Sequence, residues 1–149
     1  MWFIDKRIEV ICNQLKELAI VKKEPIKEIE YKKGRFFYPE DAEASVQPWE
    51  KFDQQKMKWY GPDAHYWFRA NYRVEDEQEG KTLRLGVKTQ VDEWDDGKNP
   101  QFLLFLNKTA IQGLDMNHRV VHLIDHAIRG DNYIFDLQAY TGTLHSEFN

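Results

Sequence analysis

Cysteine is almost absent from this sequence. Cys12 is the only one, so no internal disulfide can form and the fold must rest on its core. Long apolar runs are missing too. The longest, Phe102 to Leu106, is far short of a membrane-spanning helix. Met1 to Val10 carries charges every few residues and lacks a signal-peptide apolar centre. A cytoplasmic location is the default expectation, and there the acceptor-like triplet Asn107-Lys-Thr109 stays unglycosylated. Charge of one sign is also scarce. The net charge is −4, which provides no basic face for nucleic acid. Glycine-rich phosphate loops are missing. Ser45 and Ser146 lack the glycine pattern of a hydrolase nucleophile elbow.

Aromatic residues are plentiful. At 149 residues and 14% aromatic content, the chain can bury one proper core. Trp2, Phe3, Ile4, Ile8, Ile11, Leu15 and Leu18 recur at helical spacing. They predict an N-terminal amphipathic helix within residues 1–22 whose stripe packs on the domain formed by 23–149. Pro25 closes it, and Ile26, Ile29 and Tyr31 lie in a charged connector. Gly34 to Pro48 reads as loop with at most one short strand, and Trp49 to Phe52 as an apolar anchor.

From residue 64 the period becomes two. His65 to Val74, Lys81 to Gln90 and Asn132 to Tyr140 each alternate apolar with polar residues, as strands do with one face in a core and one in water. Gln101 to Leu106 does not alternate and predicts a strand covered on both faces; Lys108 to Arg119 reads as a polar, turn-rich loop. With no helices between the strands, the fold class expected is mostly β: an antiparallel β-sandwich of jelly-roll type with an N-terminal α-helix.

Two clusters invite chemistry. His118, His122 and His126 are spaced by four and would share a helix face. Val120 to Ile124 reads better as a strand, where about 3.3 Å per residue separates the outer two, so a metal site is not expected. Asp92-Glu-Trp-Asp-Asp96-Gly97 sets Trp94 among acids, an arrangement that stacks on sugars or folds back as a solvated loop. It lacks the ladder of a calcium loop.

Three blocks resemble one family. They are Gly61-Pro-Asp-Ala-His-Tyr-Trp-Phe-Arg69, Asn99-Pro-Gln-Phe-Leu-Leu-Phe-Leu-Asn107 and Gln112-Gly-Leu-Asp-Met-Asn-His-Arg119. In order and spacing they are similar to the non-catalytic region ahead of the catalytic domain in glycoside hydrolase family 38 α-mannosidases, and Asn132 to Gly142 fits as well. The loosely shared features extend to galactose-binding-like domains. The resemblance implies an accessory domain of a retaining, metal-dependent α-mannosidase. Its partners would be the catalytic domain of the same polypeptide, with mannosides and a second copy as further candidates. It implies no cofactor and no catalytic residue in this chain, because the family's zinc site and nucleophilic Asp belong to a domain that would follow. Asp63, His65, Trp94, Asp95, Asn99, Gln101, Asp115, Asn117, His118 and Arg119 are the interface or sugar-rim candidates. Where the family has Asn-Gly, this chain has Asn107-Lys108, so the turn is expected to lengthen or change type. A self-standing carbohydrate-binding module and an oligomerisation domain are the alternatives.

Overall fold

A computed structural model describes residues 2–18, 20, 22–89, 100–115, 117–142 and 147–148. After helix α1 (Trp2–Leu18) come β1 (Ile29–Lys33), α2 (Pro39–Ala44), β2 (Glu50–Lys51), β3 (Trp59–Tyr60) and β4 (His65–Arg73). Then follow β5 (Leu83–Gly86), β6 (Gln101–Leu106), β7 (Thr109–Leu114), β8 (Val120–Ile124), β9 (Asn132–Tyr140) and β10 (Glu147–Phe148). The chain is mostly β, and all its strand pairs are antiparallel among the described residues. The main sheet runs β2-β1-β4-β9-β6-β7, with β5-β8 and β10-β3 as separate two-stranded pairs. This arrangement is consistent with a β-sandwich.

The period-two pattern explains the sheet. Tyr66, Phe68 and Ala70 of β4 lie on one face with Tyr133, Phe135 and Ala139 of β9 and Phe102 and Leu104 of β6. Val121 of β8 and Leu83 and Leu85 of β5 close over them. Edge-to-face rings lock the layer, Phe52 on Phe68 at 5.1 Å and Trp59 on Phe68 at 5.3 Å between centroids. Each fully buried aliphatic such as Leu104 (0% exposed) contributes about 1.5–3 kcal/mol of transfer free energy. β6 has cover on both faces, since Phe105 stacks on Trp67 at 5.6 Å on the side away from this core.

Several expectations change. The charged connector at Ile29 to Lys33 is strand β1, pairing with both β2 and β4. The supposed loop after Gly34 holds α2, started by Pro39 and by the Tyr38 N–H donating to Asp41 Oδ2 at 3.2 Å. The second face of β4 is not wet: Trp67 is fully buried and packs with Phe105, Ala42 and Trp49 in a second core under α2. Thr109–Leu114, read as loop, is the edge strand β7. An edge strand with little burial needs no apolar alternation. Of the strand expected over 81–90, residues 81–89 are described and form a strand only at Leu83–Gly86.

The β6–β7 turn keeps its two-residue form. Leu106 pairs with Thr109, and Asn107 (φ 47°) and Lys108 (φ 69°) both sit in the left-handed region, so no lengthening occurs. Asn107 Oδ1 accepts the Ile134 N–H at 2.9 Å, which fixes the first of these residues. The helix α1 also departs from expectation. Every side chain from Lys6 to Leu15 is exposed, so this stretch buries nothing on the sheets.

Candidate functional site

Register decides which loops meet. β4 and β6 both run antiparallel to β9, so His65, Gln101 and Tyr140 share one end of the sheet. β7 returns to the same end at Leu114, paired with Phe102. Asp63, His65, Gln101 and the Asp115 to Arg119 loop therefore lie at one end of the main sheet. Trp94, Asp95 and Asn99 fall outside the described residues.

Tyr140 joins three of these candidates. It is the cross-strand neighbour of both His65 and Gln101. Its ring stacks on the His65 imidazole at 4.9 Å, and its hydroxyl donates to Asp63 Oδ1 at 2.8 Å. That hydrogen bond to the carboxylate, with some burial, pushes the Tyr140 phenol above its ordinary range. Asp63 sits in the left-handed region (φ 52°), a conformation that Asp tolerates. Thr141, fully buried, clips this turn to the end of β9. Its hydroxyl donates to the Gly61 carbonyl at 2.6 Å and accepts the Ala64 N–H at 3.0 Å.

The second group is a closed turn. Asp115 Oδ1 accepts the backbone N–H groups of Asn117 at 2.8 Å and His118 at 2.7 Å, and lies 3.1 Å from His118 Nδ1. The His118 amide, helped by that of Asn117 and by the imidazole, holds the Asp115 carboxyl below the usual carboxylate range. The Arg119 carbonyl accepts the Val87 N–H at 2.8 Å, tying the turn to the segment after β5. A small cavity of about 10 Å³ lies between Thr89, Pro100, Leu114, Asp115 and Arg119, room for about one water.

A further polar assembly went unnoticed in the sequence. On the face under α2, Arg69 Nε donates to Asp136 Oδ1 at 2.6 Å and Nη1 to Glu43 Oε1 at 2.9 Å. Lys108 Nζ donates to Glu43 Oε2 at 2.7 Å. Lys32, 2% exposed, donates to the carbonyls of Ala42 at 2.6 Å and Gln47 at 2.8 Å. Trp49 accepts two cations on its ring, Lys32 at 4.6 Å and Arg69 at 4.7 Å. Burial pushes the Asp136 carboxyl up against the pull of Arg69, while Lys108 above all draws Glu43 down. Trp67 Nε1, Arg69 Nη2 and Asp136 Oδ2 find no hydrogen-bond partner among the described residues. Reaching from β1, β4, β9 and the β6–β7 turn to α2, these contacts hold α2 on the sheet.

Val120–Ile124 is strand β8, as its residues read, and it carries His122 but neither His118 nor His126. His122 lies on β8 with Nε2 3.2 Å from Asp125 Oδ1, and His126 Nδ1 lies 3.4 Å from the Gly80 carbonyl. Among the described residues the acid group close enough to hold a cation is Glu24, Glu75 and Glu77, all exposed. Lys22 already pairs with Glu24 at 2.6 Å and with Glu77.

Tyr140 and Thr141 complete the end-of-sheet site and were missed as site residues. Asp63 is 77 residues from Tyr140 in sequence, so no local pattern joins them; the one usable signal was that the alternating strand ends in a Tyr. Comparison with family models, curated proteins and solved structures returns no match to this chain.

Proposed function

We propose that this chain is a non-catalytic accessory β-domain, jelly-roll in type, similar to the one ahead of the catalytic domain in family 38 α-mannosidases. The end of the sheet bearing Asp63, His65, Gln101, Tyr140 and the Asp115 turn faces that catalytic domain and rims its mannoside entrance. The observation that carries this reading is the gathering of sequence-distant polar residues at one end of the sheet. The side chains there are already tied to one another, Tyr140 to Asp63 and Asp115 to His118. Such ties present a preset surface to a partner. In the parent enzyme, zinc and the nucleophile in the following domain would supply retaining hydrolysis.

Two results test it together. The reading frame beyond codon 149 should encode a His-x-Asp zinc motif, and the purified 149 residues should not hydrolyse an aryl α-mannoside. A stop codon with no such frame, or hydrolysis absent from a mock preparation, would overturn the proposal.

A second reading, a self-standing carbohydrate-binding module, is favoured by the half-exposed His65–Tyr140 stack beside Asp63. It predicts heat on mixing with mannosides in a calorimeter, abolished by Tyr140→Ala. Silence across a panel of sugars at millimolar concentration removes it.

A further inference from the structure

Helix α1 carries an apolar seam that the other described residues leave uncovered from Ile8 to Leu15. Ile8, Ile11 and Leu15 are 54%, 52% and 59% exposed. With Ile4 and Leu18 these positions step by four, three, four and three residues along one helix. That alternation is the a/d spacing of a coiled coil, in which each side chain of one helix enters a hole on a second helix. A helix lying on a sheet or on lipid typically adds a third apolar position per heptad and so carries a broader stripe, whereas an a/d seam is the narrower one.

The charges point the same way. Within α1, Asp5, Glu9 and Glu17 balance Lys6, Arg7 and Lys16. A helix that lies on anionic lipid instead carries a basic polar face. The seam therefore calls for another helix with an apolar heptad. Among the described residues the other α-helix, α2, has six residues and turns Pro39 and Ala42 inward. The helix that fits is α1 of a second copy. Parallel and in register, two copies place Arg7 beside Cys12, and no like charges oppose each other along the seam.

We propose that α1 pairs with α1 of a second copy as a short two-stranded coiled coil, making the protein a self-associating dimer. This inference rests on the helix alone and is independent of the mannosidase reading. Two heptads make a weak interface, so the dimer forms at high rather than low micromolar protein concentration.

Sedimentation velocity on the full chain, with reductant to keep Cys12 from cross-linking, tests it. The sedimentation coefficient should rise with concentration from a monomer to a species of twice the mass. Ile11→Glu, at the middle of the seam, should hold the protein monomeric throughout. Val10→Glu, also exposed at 51% but off the seam, should leave the dimer intact. Both changes keep a good helix former in place, and the melting of the β-domain should be the same in all three proteins. A wild type that stays monomeric at every concentration overturns the proposal. So does an Ile11→Glu protein that still dimerises, a Val10→Glu protein as impaired as Ile11→Glu, or wild-type protein that pellets with mixed neutral and anionic vesicles instead of dimerising.

Discussion

Replacing Arg69 by Met isolates the contribution of the ionic contacts under α2. The Arg69 side chain is 12% exposed and its Asp136 partner 0%. Methionine keeps much of the buried stem but removes the donor to Asp136 Oδ1 and the link to Glu43. The Asp136 carboxylate is then left charged in a sealed site with its other oxygen already unbonded. Breaking a buried pair in this way costs about 3–5 kcal/mol, a large part of the roughly 5–15 kcal/mol that holds a domain together.

The cost should depend on pH with a definite sign. Burial raises the Asp136 carboxyl, and without Arg69 only the weaker pull of the Lys108 charge opposes it. A carboxyl whose folded pKa lies above its unfolded value stabilises the fold below the unfolded pKa, and that stability is lost as pH rises through the folded pKa. The Arg69→Met protein should thus be weakest near pH 8 and recover toward pH 5. Arg69→Met with Asp136→Leu removes both charges and should recover much of the loss even at pH 8, since an apolar pair can replace a buried ion pair with little penalty. Urea unfolding followed by tryptophan fluorescence at both pH values, on the wild type, Arg69→Met, Asp136→Leu and the double variant, gives all four corners of the cycle. A loss under about 1 kcal/mol at pH 8 would refute the reasoning, as would a loss that does not change with pH.

Two further outcomes are expected. Asn107→Ala removes the acceptor of the Ile134 amide and puts alanine at a φ of 47°; thermal unfolding should show a loss of about 1–3 kcal/mol. Asp115→Ala frees the amides of Asn117 and His118, whose hydrogen exchange should accelerate while the β4 and β9 amides stay protected. In the unaltered protein those two amides should lose protection as pH falls through the depressed Asp115 pKa, because the carboxylate stabilises the turn only above it.

β4 and β9 were legible nearly residue for residue because their side chains alternate, although Trp67 and Asp136 on the face that read as wet are buried under α2. β1 hid its identity because Lys32, an apparent surface lysine, is buried and satisfied by the carbonyls of Ala42 and Gln47. Six-residue α2 is too short for a helical stripe, and β7 is an edge with little burial. The candidate site divided similarly. Asp63, His65 and Gln101 stood out as polar residues beside strand ends, and Asp115 as a turn former. Tyr140 and the Arg69–Asp136 pair stayed hidden because their partners lie 77 and 67 residues away, a distance that only the sheet register spans.

The position of β9 has a consequence for how the protein is made. It lies between β4 and β6, yet its last residue, Tyr140, leaves the ribosome after both neighbours. At roughly 5–20 residues per second, the two halves of the main sheet wait several seconds with open inner edges before the strand that joins them arrives. A nascent chain that has emerged from the ribosome only as far as residue 131 therefore presents two unpaired strand borders at once, and it is at that point that a chaperone has the most to shield.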